Sequence, residues 1–252
     1  CPIGLNLGGQ TPYQVGLSIV SELLSSEKNR NPIKRNNLYR PIIIRGAGDL
    51  ATATILKLHR LGFKIIALET DQPTVIRRTV SFAQAMYDGQ YEVGGSLAIK
   101  CNKEDLTNIF EVLESGNIAI VSDKEASLIK IIKPLIVIDA ILAKKNLGTN
   151  ITDAPLVIAL GPGFEVNKDC HCIIETKRGH YLGTVIYEGK AIENSGIPGI
   201  IGGYGKERVI HSPIAGKWVA LKEIGDIVQK GDIIAKVDET LVEATIDGKI
   251  RG

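Results

Sequence analysis

Ile43-Ile44-Arg45-Gly46-Ala47-Gly48-Asp49-Leu50-Ala51 decides the architecture of this chain. An apolar run ends in Gly-x-Gly-x-x-Ala, and from Leu50 onward the pattern becomes that of an amphipathic helix. A strand, a tight turn and a helix in that order open a βαβ unit. In that setting Gly46 allows the tight turn, Gly48 lets backbone approach a phosphate, and Ala51 permits close packing of helix on strand. An anion at the start of such a helix meets free N–H groups and the positive end of the helix dipole. Glu69 stands 23 positions after Gly46, at the end of the next apolar run, where a partner for a ribose hydroxyl is expected. Against this, Asp49 puts negative charge beside the phosphate position, and Gly-rich strand-to-helix turns also occur with no ligand. The turn Gly46, Ala47, Gly48, Asp49, Leu50, Ala51 is therefore read as nucleotide or pterin-phosphate binding, with a bare tight turn as the alternative.

Working outward, short buried runs alternate with helical patterns. Strands are expected at Ile42–Arg45, Lys64–Glu69, Leu97–Ile99, Ile118–Ser122, Leu135–Asp139 and Leu156–Leu160, and helices at Leu50–Leu61, Thr74–Ala85, Lys103–Ser115 and Lys124–Ile132. Such alternation predicts an α/β fold, a Rossmann-like doubly wound parallel sheet over residues 41–163. After Gly161 the period changes to two in Cys170–Thr176 and Gly183–Glu188, around the turn Lys177-Arg178-Gly179-His180, which predicts a β-rich segment over 164–210. Residues 211–252 read as short strand pairs punctuated by Gly and Asp turns. Upstream, Thr11 before Pro12 is an N-cap signal for a helix over Tyr13–Leu24, and the polar, Asn-rich stretch 25–40 reads as a linker.

Composition narrows the function classes. With 252 residues, 44% of them hydrophobic, the chain can bury one large core with small appendages. Its 30 Lys and Arg against 28 Asp and Glu leave a net charge of +2, no footprint for nucleic acid or an anionic membrane. Apolar runs such as Pro41–Ile44 and Leu135–Ile138 fall far short of the roughly 20 residues that cross a bilayer, and no charged-then-apolar leader opens the chain. Four cysteines do not form a disulfide framework, so a soluble, cytoplasmic protein is expected. The start at Cys1 and the end at Gly252 suggest a fragment of something longer.

Several side chains are candidates for chemistry. Arg77 and Arg78 follow Pro73 close to the end of the second strand, to meet a phosphate or to form a solvated helix face. Asp139 ends the fifth buried strand, with Lys144, Lys145 and Asn146 just beyond, where ligands of open α/β sheets sit; its alternative is an N-cap. Gly161 and Gly163 flank Pro162 at another strand end, a turn that suits close approach to a ligand but is also explained by turn chemistry alone. Cys170-His171-Cys172 is weak as a zinc site, since alternation puts both sulfurs on one face and His171 on the other. Glu175, Arg178 and His180 surround one turn and could serve acid/base work or hold an anion, as against ordinary hairpin polarity. No nucleophile elbow, Walker lysine loop or His-x-x-x-His pair is present.

Taken in order, Arg45–Thr52, Gln72-Pro73 with Ile76–Val80, Asp139–Lys144, Leu160–Phe164, Ile174–Thr176 with Arg178–His180, and Gly202–Tyr204 with Lys206–Arg208 resemble the YqeB-type family of selenium-dependent molybdenum hydroxylase system proteins. The match runs from about Pro41 to Gly252. Cys1–Leu24 is similar instead to the tail of the xanthine dehydrogenase accessory factor family, which implies the rear part of a fusion between two accessory proteins. Residues 211–252 resemble a biotinyl/lipoyl-type hammerhead through Ser212–Gly216, Gly225-Asp226, Lys230–Asp232, Ala244 and Asp247-Gly248. An attachment lysine is expected near Val237–Leu241, yet that stretch reads Val-Asp-Glu-Thr-Leu, so a structural half-barrel is the better reading.

The resemblance implies an accessory factor that helps to mature a molybdenum hydroxylase by handling its molybdenum cofactor, molybdopterin or its dinucleotide form, or that cofactor's labile chalcogen. The Gly46 turn would cradle the phosphates, while Glu175, Arg178 and His180 would contact the pterin or help with chalcogen transfer. Two other functions stay open: an NAD(P)-dependent oxidoreductase built on Gly46, Gly48, Ala51 and Glu69, and a scaffold that binds the hydroxylase apoenzyme through the β-rich half. A homodimer is the base-rate expectation for oligomeric state.

Overall fold

The computed structural model describes residues 40–252. The helix and linker expected upstream, and the accessory-factor likeness of Cys1–Leu24, lie outside the described residues. The opening unit forms as the sequence predicts: β1 (Ile42–Arg45), α1 (Asp49–Arg60) and β2 (Ile65–Glu69) start a parallel sheet, with Ile42 opposite Ile65. Next come α2 (Ala85–Asp88), β3 (Gln90–Val93), β4 (Ser96–Cys101), α3 (Leu106–Glu114), β5 (Ile118–Ser122), α4 (Leu128–Ile132), β6 (Ile136–Asp139), β7 (Leu156–Leu160), β8 (Cys172–Ile174) and β9 (Val185–Ile186). They form one nine-stranded sheet in the order β3-β4-β5-β2-β1-β6-β7-β8-β9. Only its two edge strands run antiparallel to their neighbours, β3 to β4 and β9 to β8. This mixed α/β sheet is consistent with a Rossmann-like fold.

Its central strands β1, β2, β5, β6 and β7 are mostly apolar and buried because both faces are covered. Along β1, Ile42 and Ile44 join a core with Ile55 and Leu58 of α1, while Ile43 joins a second core with Ile109 of α3 and Leu128 of α4. Helix α3 starts at an N-cap in which the Asp105 carboxylate accepts from the Asn108 N–H at 2.9 Å. Asp105→Ala is expected to lower unfolding free energy by about 1 kcal/mol in a urea titration, since one helix-end donor loses its acceptor.

Two expected helices differ. Thr74–Ala85 is no continuous helix but two short turns, Arg78–Val80 and Phe82–Gln84, leading into α2. The reason is tertiary. The Ala83 N–H donates to the Ala47 carbonyl at 2.9 Å, and the Phe82 N–H donates to Thr52 Oγ1 at 2.9 Å, so these donors serve the Gly46 turn and not a helical ladder. The helix expected from Lys124 starts only at Leu128, because the Asp123 carboxylate accepts from the Leu128 N–H at 2.8 Å and from the Ser127 hydroxyl at 2.9 Å.

Contacts divide the chain between Glu193 and Asn194, whereas the sequence reading set boundaries at 163/164 and 210/211. The physical reason is pairing: β8 lies parallel to β7 and β9 folds back on β8, so the expected β-rich strands extend the large sheet. The second unit holds β10 (Trp218–Ala220), β11 (Ile227–Val228), β12 (Ile233–Val237), β13 (Thr240–Glu243) and β14 (Gly248–Lys249). A three-stranded sheet β10-β12-β13 and a two-stranded sheet β11-β14 surround a small core of Val228, Ile234, Ala235, Val237, Val242 and Ala244. Among the described residues, no helix is long and apolar enough to cross a membrane.

Candidate functional site

β1 lies between β2 and β6, so the chain leaves β1 toward one side of the sheet and later returns on the other. At such a switch point the loops after the two central strands diverge and open a crevice beyond the strand carboxyl ends. Strands β4, β5, β2, β1, β6, β7 and β8 run parallel, so their following loops share that edge. The candidates Gly46–Ala51, Glu69, Asp139, Lys144, Gly161, Gly163 and Glu175 all follow or end these strands.

The Gly46 turn is built from both neighbours. Gly46 has φ +96°, and a Cβ there would lie 3.0 Å from the Ala140 carbonyl oxygen and the Ile141 Cα, so the β1 and β6 loops touch backbone to backbone. Beside Gly48 the nearest atom to an added Cβ is Val75 Cγ2 at 4.0 Å, leaving space at the start of α1. Ala47 and Ala51 are buried, as close packing of turn and helix requires. Glu69 joins this turn directly: its Oε2 accepts from the Ala47 N–H at 2.9 Å, and its Oε1 accepts from the Thr70 N–H at 2.9 Å. Asp49 Oδ1 accepts from the Leu50 N–H at 3.0 Å, and Arg77 Nη1 donates to Asp49 Oδ2 at 2.7 Å. Arg77 thus comes to the turn as the counter-ion of Asp49, while Arg78 lies partly buried in the short turn that follows.

On the other side of the switch point lies a buried polar trio. Arg45 is 3% exposed and Asp139 1% exposed, with Arg45 Nη1 3.7 Å from Asp139 Oδ2. Arg45 donates to the Thr149 hydroxyl and, at 2.8 Å, to the Leu147 carbonyl; Thr149 donates to Asp139 Oδ2, and the Ile141 N–H to Asp139 Oδ1 at 3.1 Å. Both carboxylate oxygens accept, which is the pattern of an ionised Asp139. Burial pushes its pKa above the ordinary value, against the pull of the Thr149 hydroxyl and the Arg45 guanidinium. Asp139 therefore holds the loop 140–149, with its carboxylate turned inward.

Gly161 and Gly163 face other loops. A Cβ on Gly161 would meet Thr176 Oγ1 at 2.4 Å, and one on Gly163 would lie 2.6 Å from Lys145 Cα and N. Their freedom lets the loops after β6, β7 and β8 stack closely. Lys144 is exposed at that contact.

Glu175, Arg178 and His180 share one turn but not one cluster. Glu175 is 1% exposed; its Oε1 accepts from the Lys177 N–H at 2.7 Å and its Oε2 from the Ile192 N–H at 2.8 Å. Arg178 and His180 are exposed, and the His180 ring sits edge-on to Tyr181 with centroids 5.3 Å apart. Among the described residues, no hydrogen bond or ion pair joins the three.

The alternation expected for Cys170-His171-Cys172 does not hold. β8 begins only at Cys172, Cys170 belongs to an isolated bridge with Val166, and the two sulfurs enter the cores on opposite faces of the sheet. His171 Nδ1 accepts from the Val157 N–H at 3.0 Å, and burial pushes the Cys170 thiol up to about 12, which disfavours the thiolate that a metal needs. Among the described residues no group of His, Cys, Asp or Glu is placed to hold a metal ion. An open cavity on the opposite, amino-terminal edge of the sheet, lined by Arg40, Lys130, Lys133 and Asp153, takes in none of the sequence-predicted site residues.

Sequence reasoning missed Arg45 and Thr149. A signal for the first was available: Arg45 and Asp139 are opposite charges that each end an otherwise apolar run.

The geometry defines an α/β protein with a glycine turn and an acidic partner at the switch point of a mostly parallel sheet. No family model matches the sequence. The chain is 44% identical over 257 aligned residues to a protein of Escherichia coli K12 named uncharacterized protein YqeB. That alignment takes in 100% of this chain and 47% of the relative, so the chain spans about half the length of the curated relative it matches. A likeness at this identity along the whole chain supports the YqeB-type family as its place.

Proposed function

We propose that this chain is the cofactor-binding part of an accessory factor for a selenium-dependent molybdenum hydroxylase, working in the cytoplasm on molybdopterin or its dinucleotide form. The observation that carries the reading is the Gly46–Ala51 turn at the switch point, with space beside Gly48 and Glu69 bonded to the Ala47 N–H. A phosphate there meets the start of α1. Arg77 answers the charge of Asp49, so a phosphate approaching the turn faces an ion pair in place of a bare carboxylate. Glu69 stands where a ribose hydroxyl would be accepted. Glu175 anchors the turn that presents Arg178 and His180, and these two exposed side chains are the ones to reach a pterin. Residues 211–252 serve as a biotinyl/lipoyl-like half-barrel without a carrier lysine: the β12–β13 turn where one would sit is Asp238-Glu239. The partner is the hydroxylase apoenzyme.

The test is competitive loading. The purified chain is incubated with molybdopterin, its cytosine dinucleotide, NAD and NADP together, washed and denatured, and the released molecule is identified by mass spectrometry. A recovered pterin is expected. Recovery of NAD(P) would replace this reading by an oxidoreductase, and recovery of nothing would replace it by a scaffold. Gly48→Asp is expected to fold, because a Cβ meets only Val75 at 4.0 Å, and to lose the pterin, because a carboxylate then fills the phosphate's place. Unchanged loading of the folded variant would remove the Gly46 turn from the site.

A further inference from the structure

Loop 140–149 is held from every side. The Gly46 turn presses on Ala140 and Ile141, Gly161 and Gly163 press on Leu142, Lys144 and Lys145, and Arg45 donates to the Leu147 carbonyl and the Thr149 hydroxyl. Within the loop, Asn146 Oδ1 accepts from the N–H groups of Gly148 at 2.9 Å and Thr149 at 2.8 Å. The scaffold thereby enforces an unusual backbone: Leu142 has φ +60° and Lys144 φ +63°, left-handed values that side-chain-bearing residues rarely adopt. Such strain persists only where surroundings over-determine it, and it clusters at ligand clamps.

The enforced backbone has a chemical meaning. Residues of alternating hand turn successive N–H groups toward one side and form an anion-binding concavity. The N–H groups of Leu142, Ala143, Lys144 and Lys145 donate to no group among the described residues. Lys144 and Lys145 are exposed, and neither enters an ion pair among the described residues. We infer that residues 142–145 form an anion-binding element on the β6 side of the crevice, which takes a phosphate-type group through backbone N–H donors and the two lysine ammoniums. This inference rests on the reading of the crevice as a cofactor site and names a second anchoring point in it, across the switch point from the Gly46 turn.

Inorganic pyrophosphate is the probe, titrated into the full chain by calorimetry and followed by amide chemical shifts in the nitrogen-15 NMR spectrum. Saturable binding is expected, with the amides of residues 142–145 among those that move. The Lys144→Met, Lys145→Met double variant should bind at least about tenfold more weakly, the scale of one lost charge-assisted contact. The Lys130→Met, Lys133→Met double variant, on the opposite edge of the sheet, controls for net charge and should bind as the parent does. No saturable binding, or equal affinity in the double variant, overturns the inference. The two readings fail separately. If the double variant still loads the pterin and pyrophosphate ignores the lysines, only this inference falls; if pyrophosphate depends on the lysines and no pterin loads, only the proposed function falls.

Discussion

Asp139→Ala is expected to lower the free energy of unfolding by about 3–5 kcal/mol, the range seen when one partner of a buried pair is removed and the other charge stays behind. The stranded group is Arg45, 3% exposed, which keeps the Thr149 hydroxyl and the Leu147 carbonyl but no anion. The same truncation leaves the Ile141 N–H and the Thr149 hydroxyl without the acceptors they have now. The intact pair is not itself a large source of stability. Burial raises the Asp139 pKa above 3.8, so the share of stability tied to its protonated form is complete below that value and is lost as pH rises through the folded-state value. Ionised Asp139 is tolerated because Arg45 and Thr149 surround it. Two outcomes follow in urea titrations. Arg45→Met with Asp139→Leu should recover much of what Asp139→Ala loses, since no buried charge remains, and variants without Asp139 should lack its share of the decline in stability above pH 3.8. Strict additivity of Arg45→Met and Asp139→Ala would show that the two charges do not depend on one another.

That trio also shows what the sequence could and could not display. Strands β1, β2, β5, β6 and β7 were legible because burial on both faces leaves continuous apolar runs, and the Gly46 turn because its glycines interrupt such a run just before a helical period. The segment after Pro73 was not: Val75, Ile76, Val80 and Phe82 fit a helical spacing, but the N–H groups of Phe82 and Ala83 bond to Thr52 and Ala47, 30 and 36 positions earlier. No local pattern encodes a partner that distant. Asp139, Gly161 and Gly163 were picked out by position at strand ends, and Glu175 by its place around one turn with Arg178 and His180. What the sequence could not display is that these groups face inward, Asp139 to Arg45, Glu175 to the N–H groups of Lys177 and Ile192, and the glycines to neighbouring loops. Loop 140–149 was legible only as Lys144, Lys145 and Asn146 after Asp139, since its left-handed residues are imposed by packing and not by glycine or asparagine at those positions.

Gly163→Ala is the second large effect, on the order of 3 kcal/mol, and it tests how firmly that loop is clamped. Gly163 has φ +108°, so an alanine there carries the backbone penalty of a conformation that only glycine adopts freely. Its Cβ would also lie 2.6 Å from Lys145 N and Cα and 2.8 Å from the Lys144 carbonyl carbon. These are backbone atoms, with no rotamer to swing away, so relief requires the whole loop to shift, at the typical overpacking cost of about 1–3 kcal/mol. Gly179→Ala separates the two contributions: Gly179 has φ +132° and nothing within 4 Å of an added Cβ, so it carries the conformational penalty alone. Chemical denaturation should rank Gly163→Ala well below Gly179→Ala in stability; equal losses would mean that the two loops part without cost. The clamped loop predicts a second consequence in the folded fraction of Gly163→Ala. Pushing Lys144 and Lys145 off their backbone seats should weaken pyrophosphate binding while both ammoniums remain, which separates the enforced shape of the loop from its charge.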